Sequence, residues 1–221
     1  MKLRPGLFRR RECVVPTLRG WLVILLVCAG LAVGFVRNIY SFLAVNDPQP
    51  GGVLVVEGWA SEEVMQIVIE EFQRGHYDGI YCTGGPIEDS SPLAPFHTFA
   101  EYGAMLLAKL GCDPKRVHVV PSPKAVRDRT YFSAVSLKRS LAEQGNVSPT
   151  VNLFSMGAHS RRSRLLFQKA FGDQARIGIV VADNPDYDPR RWWTTSAGFR
   201  NVTDEVIAYL YARFLFRESA E

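Results

Sequence analysis

Four short segments of this 221-residue chain bring together side chains able to do chemistry, and each follows directly on an apolar run. The first is Glu57-Gly58-Trp59-Ala60-Ser61, a carboxylate and a flexible glycine at the mouth of a helical pattern. The second, Thr83-Gly84-Gly85-Pro86, has paired glycines whose backbone could form a nest of N–H groups for an anion. The third, Pro121 to Thr130, supplies Lys124, Arg127, Arg129 and Thr130, and the fourth, Ser155 to Arg162, supplies His159, Arg161 and Arg162. Glu57 and His159 are the residue types for general acid–base work, with Gly58, Thr83, Gly84, Gly85, Arg129, Thr130 and Arg162 as ligand contacts. Arg129, Arg161 and Arg162 all stand near predicted helix N-termini, where a cation opposes the helix dipole. An anion bound at those termini gives that placement a reason, and a phosphate group is the natural choice. No nucleophile motif accompanies them: Ser155 and Ser160 flank His159, but nothing of the form Gly-x-Ser-x-Gly occurs.

The elements that must position these segments alternate. Apolar runs Val53–Val56, Gly79–Thr83, Arg116–Val120, Val151–Ser155 and Ile177–Val181 read as strands. Helical patterns follow them: from Ser61 to Gly75, His97 to Leu110, about Asp128 to Gly145, Ser160 to Phe171, and Val202 to Phe216. Uninterrupted apolar strands predict a sheet covered on both faces, and the intervening helices supply that cover. The expectation is a three-layer Rossmann-like α/β sandwich with a mainly parallel sheet of five strands over residues 53–221. Right-handed crossovers then collect the four chemical segments along one sheet edge.

The charge distribution sets the domain apart from what precedes it. Residues 1–19 carry Lys2, Arg4, Arg9, Arg10, Arg11 and Arg19 against Glu12, whereas the remainder is close to neutral, so the overall charge of +4 describes a tail. A nucleic-acid partner is not expected, because the basic residues are not spread over a folded face. From Gly20 to Val36 the only ionisable group is the Cys28 thiol, and this run covers about 26 Å as a helix. With Arg19 and Arg37 snorkelling and with Trp21 and Tyr40 at the ends, residues 20–40 read as one transmembrane anchor. The stretch exceeds an ordinary signal-peptide core and lacks a small-x-small cleavage site, so an uncleaved anchor is preferred. The basic tail then lies in the cytoplasm and the domain outside it, across the inner membrane, with 41–52 as a Pro/Gly-rich linker. Of the cysteines, Cys13 falls in the tail and Cys28 in the anchor; Cys82 and Cys112 read as buried free thiols rather than a bridge.

His76, His97 and His118 show no metal spacing, and no metal site is expected, although Glu57, Glu88, Asp89 and Glu101 could hold a divalent ion beside a phosphate. Trp192-Trp193 and the apolar final helix invite two readings, packing on the sheet or docking at the membrane surface.

Taken together, Val55-Val56-Glu57-Gly58, Thr83-Gly84-Gly85, Glu101 with Met105 and Leu110-Gly111, Arg129-Thr130, and His159 followed by Arg162 resemble the YdcF-like family, which includes the SanA and ElyC envelope proteins. The resemblance covers roughly residues 52–182. It implies a Rossmann-like fold, often membrane-anchored, a role in envelope biogenesis or barrier integrity, and Glu101 among the ligand-binding residues. The chain departs from the family pattern at Glu57, where a second glycine is usual, and at Arg127 and Ser133. These add a carboxylate and a positive charge to the expected pocket.

The expected partners are the lipid bilayer, a phosphate-bearing small molecule or lipid-linked precursor, and an envelope-assembly protein; no cofactor is specified. Three functions remain open: a ligand-binding envelope protein, a hydrolase or transferase acting on a phosphate-containing precursor, and a non-catalytic membrane scaffold.

Overall fold

A computed structural model describes residues 14–88, 91–93, 95–147 and 149–217. The chain divides into two units, Met1–Asn38 and Ile39–Glu221. The described part of the first is most of helix α1 (Leu18–Leu43), which is long and apolar enough to cross a membrane and buries none of its spanning window. The helix runs on through Arg37 into the second unit, where Ile39, Tyr40 and Leu43 are buried.

The second unit is the expected α/β sandwich. Its strands are β1 (Val53–Glu57), β2 (Gly79–Gly84), β3 (Val117–Pro121), β4 (Thr150–Met156) and β5 (Arg176–Ala182). The helices between and after them are α2 (Glu62–Arg74), α3 (Phe99–Lys109), α4 (Arg129–Glu143), α5 (Ser160–Phe171) and α6 (Ser196–Leu210). All strand pairs are parallel, in the order β3-β2-β1-β4-β5. Period-two alternation sends Leu54 and Val56 to one face, against Val64, Met65 and Val68 of α2 and Leu106 and Leu107 of α3. Val53 and Val55 go to the other, against Leu137 and Leu141 of α4 and Phe167 and Phe171 of α5. Both faces of the central strands are therefore apolar, which is why they read as continuous runs.

Three features differ from the sequence reading. The segment taken as a linker is tied down: Asp47 pairs in antiparallel fashion with Ile179, and Asn46 Oδ1 accepts from the Val181 N–H. Buried Asn152 accepts from the Gln49 N–H (2.7 Å) and donates to the Gln49 and Gly51 carbonyls (3.0 and 2.9 Å). This short pairing covers the free edge of β5, where unpaired backbone groups would otherwise face water. The last helix starts six residues before Val202, because Thr195 Oγ1 accepts from the Gly198 N–H and caps it. It ends as a π-helical turn over Tyr211–Leu215. Finally, the two tryptophans divide: Trp192 is buried while Trp193 is partly exposed. Cys82 and Cys112 are buried and unbridged, and Cys13 lies outside the described residues.

Candidate functional site

The strand order reverses between β1 and β4, whose crossovers leave toward opposite ends of the sheet, so a crevice opens beyond their C-terminal ends. Glu57 is the last residue of β1, and His159 follows β4 in a single 3₁₀ turn, Gly157–His159, ahead of α5. The switch point thus brings together two residues about a hundred positions apart. His159 Nε2 lies 3.2 Å from Glu57 Oε2, while Nδ1 lies 2.8 Å from Glu205 Oε1 and 2.9 Å from Arg162 Nη2. Arg162, one turn into α5, donates from Nε to Glu205 Oε2 (2.8 Å) and from Nη2 to Glu205 Oε1 (2.9 Å). Thr130, at the start of α4, makes a long contact of 3.4 Å from its hydroxyl to Glu57 Oε1.

Two carboxylates and two cations therefore share one largely buried cluster. Burial alone would push the His159 imidazolium toward neutrality, but Glu57 and Glu205 on either side of the ring raise its pKa to about 9. Burial would likewise raise the Glu57 and Glu205 carboxyls. His159 and Arg162 outweigh it, holding Glu57 below the ordinary range and Glu205 at about 2. At neutral pH the cluster is a carboxylate–imidazolium–carboxylate–guanidinium chain. Nε2 stands at ion-pair distance from Glu57, 3.2 Å, and this buried ring nitrogen has no well-aligned hydrogen-bond partner among the described residues.

Over this cluster opens a cleft of about 680 Å³. Glu57, Thr83, Gly84, Gly85, Arg129, Thr130, His159 and Arg162 of the expected site residues all line it. Ser122, Lys124 and Ser133 add polar groups, and Ser133 donates a long hydrogen bond to the Ser122 hydroxyl (3.4 Å). Arg129 and Lys124 have no ion-pair partner among the described residues. The cations expected near helix N-termini separate by cause: Arg162 is held by Glu205, and Arg161 packs its guanidinium over the Phe42 ring at 4.1 Å, so Arg129 alone of the three faces the cleft uncommitted.

Two expected ligand contacts lie outside the lining. Gly58 is needed for packing, since a Cβ there would stand 1.9 Å from the Phe99 carbonyl oxygen. Glu101 Oε2 accepts from the His97 N–H at 2.8 Å while Thr98 Oγ1 accepts from the Glu101 N–H, a capping arrangement that spends the carboxylate on the start of α3. Neither Gly84 nor Gly85 uses the left-handed backbone open to glycine. Gly84 is required instead by Phe99, whose Cβ would be 2.6 Å from an added methyl group. Of the carboxylates considered for a divalent ion, Glu57 and Glu101 are thus engaged, Glu88 lines the cleft, and Asp89 lies outside the described residues.

Sequence reasoning missed Glu205 and Trp59. Glu205 sits on the same helical face as buried Val202 and Ala212, so a carboxylate in the core phase of an apolar helix was the available signal. Trp59, half exposed at the cleft, sets its ring edge-on to His159 with 6.2 Å between centroids. Compared with protein-family models, with curated proteins and with solved structures, the chain finds no match in any of the three.

Proposed function

We propose that this is a membrane-anchored protein of the YdcF, SanA and ElyC type that binds a phosphate-bearing ligand in the cleft at the sheet switch point. The observation that supports it most is the His159 imidazolium. Its ring is largely buried, it is kept charged by two carboxylates, and its buried Nε2–H has no well-aligned acceptor among the described residues, beside a cleft that also holds Arg129 and Lys124, cations without an ion-pair partner among those residues. A phosphate oxygen supplies that acceptor, and the Thr83, Ser122 and Thr130 hydroxyls add neutral contacts around it. The apolar α1 supports an anchor in the inner membrane, with the N-terminus cytoplasmic and the cleft outside, in a role in envelope biogenesis or barrier integrity.

An enzymatic reading has its own support. Glu57 is held as a carboxylate and His159 as a cation 3.2 Å away, so the pair can accept a proton at Glu57 and donate one from Nε2 to a leaving oxygen. That places a hydrolase or transferase of a phosphate-containing precursor beside the binding role.

The test is ligand-induced stabilisation of the full chain in detergent, with inorganic phosphate, nucleotides and polyprenyl phosphates as probes. A probe that raises the melting temperature of the wild type and binds Arg129→Ala about 10- to 150-fold more weakly, the scale of a charge-assisted hydrogen bond, supports the reading. Stabilisation by none of the probes, or equal binding by the variant, overturns it. Release of phosphate that disappears in Glu57→Gln with binding intact selects the enzyme over the binder.

A further inference from the structure

We infer that the ligand of the cleft is a sugar carrying a single phosphate, with the sugar ring stacked on Trp59 and its hydroxyls donated to Glu88 and Asp128. The inference deepens the phosphate reading above and rests on it. A cleft of about 680 Å³ is far roomier than a bare phosphate needs, and it falls among the pockets of roughly 300–1,000 Å³ that enclose a whole small molecule. Trp59 supplies a flat wall of that space. A lone exposed tryptophan on a surface needs no explanation, but this one, 48% exposed, lines the cleft and stands edge-on to His159. The backbone under it is fixed. Its turn is closed by the Ala60 N–H on the Glu57 carbonyl (3.1 Å), the Gly58 N–H donates to the Thr83 carbonyl (2.8 Å), and Ala60 is buried. A rigid turn therefore holds an indole in water beside the His159 imidazolium. At 6.2 Å between the two ring centroids, a sugar ring and the phosphate on it can touch both.

The charges of the lining limit how many phosphates the ligand brings. His159 is matched by Glu57 and Arg162 by Glu205, which leaves Arg129 and Lys124 on the positive side and Glu88 and Asp128 on the negative. With two against two, the cleft is close to neutral. It lacks the surplus of cations that a diphosphate or triphosphate calls for, whereas a single phosphate is served by Arg129, Lys124 and the His159 Nε2–H. Neither Glu88 nor Asp128 has an ion-pair or side-chain hydrogen-bond partner among the described residues, and Asp128, although it stands at the N-cap of α4, does not cap it. An ionised carboxylate only accepts hydrogen bonds, and an ionised phosphate repels it. Two such groups lining a phosphate cleft are explained by a ligand that brings donors of its own. A sugar does so, because its hydroxyls donate from the rim of the ring while its C–H face covers an indole.

The test titrates the full chain in detergent with α-D-glucose 1-phosphate, N-acetyl-α-D-glucosamine 1-phosphate, inorganic phosphate, pyrophosphate and AMP, read by calorimetry. A sugar phosphate that binds about tenfold or more tightly than inorganic phosphate and pyrophosphate supports the inference when Trp59→Ala removes the gain and still binds inorganic phosphate as the wild type does. Tryptophan fluorescence is a second readout that does not depend on the alanine variant folding. The sugar phosphate changes the emission of the wild type, and the change disappears in Trp59→Phe, which keeps a ring in place. Inorganic phosphate or pyrophosphate binding as tightly as both sugar phosphates overturns the inference, as does an undiminished gain in Trp59→Ala or an equal emission change in Trp59→Phe. Tightest binding by AMP also overturns it, by assigning Trp59 to a nucleobase. Each of these outcomes leaves the phosphate site standing, whereas binding of none of the probes refutes the phosphate reading itself and the inference with it.

Discussion

Glu205→Gln tests the charge cluster most directly. The carboxylate accepts from His159 Nδ1 at 2.8 Å and from Arg162 Nε and Nη2 at 2.8 and 2.9 Å. Glutamine keeps the shape but has a single acceptor oxygen, so its amide NH₂ must face a donor of Arg162 or His159. Removing one partner from a buried ion pair costs about 3–5 kcal/mol. Glu205 is 9% exposed beside an open cleft, which argues for the lower end, about 3 kcal/mol. For a domain of this size each kcal/mol moves the melting temperature by about 2–4 °C, so a fall of roughly 6–12 °C is expected near neutral pH.

The pH dependence gives the sharper signature. A histidine raised to about 9 contributes stability that is complete below its unfolded pKa of about 6.5 and lost as the pH climbs through 9. Glu205, lowered to about 2, contributes stability that is present above its unfolded pKa of about 4.3 and lost as the pH falls through 2. The gap between wild type and Glu205→Gln is therefore widest from about pH 5 to 6.5 and narrows toward pH 10. It does not close, because Arg162 stays charged throughout. Thermal melts of the detergent-solubilised full chain from pH 4 to 10 measure this, and a titration of the His159 ring by NMR should show its pKa falling in the variant. Equal melting of the two proteins, or a gap that ignores pH, would refute the coupling between His159 and Glu205.

Three further perturbations separate packing from site chemistry. Gly58→Ala sets its methyl group 1.9 Å from a backbone carbonyl oxygen that cannot swing aside. It should cost more than the roughly 1–3 kcal/mol of ordinary overpacking, seen as loss of the folded chain in expression or melting. Gly85→Ala meets nothing closer than 3.6 Å and should leave the melt within about 0.5 kcal/mol of wild type, so a changed ligand response there reports on the cleft. Asn152→Ala removes three hydrogen bonds to the 49–51 segment, at about 1 kcal/mol each. A melt lowered by about 3 kcal/mol with new proteolysis near Gln49 is expected, and an unchanged cleavage pattern would show that the Asp47–Ile179 pairing holds the segment alone.

Local pattern determined the architecture of this protein. Five apolar runs without polar alternation could only be strands of a sheet covered on both faces, and parallel pairing with right-handed crossovers then forces their C-terminal loops to one edge. Glu57 and His159 were legible for that reason, since each directly follows a strand that the pattern makes visible. What those side chains do once gathered depended on a residue from outside the four loops. Glu205 comes from the last helix, and only the packing of α6 beside α5 converts Arg162 from an apparent anion ligand into the partner of a carboxylate. The glycines carry a second lesson: the close approach of Phe99 to Gly58 and Gly84 is a tertiary fact that no one-dimensional pattern contains. The segment from Asn46 to Gly52 has a linker's composition, and it is held because Asn152, a polar residue buried in a central strand, offers it three hydrogen bonds. Periodicity reports which face of an element is buried, whereas the partner it is buried against is settled only when the elements meet.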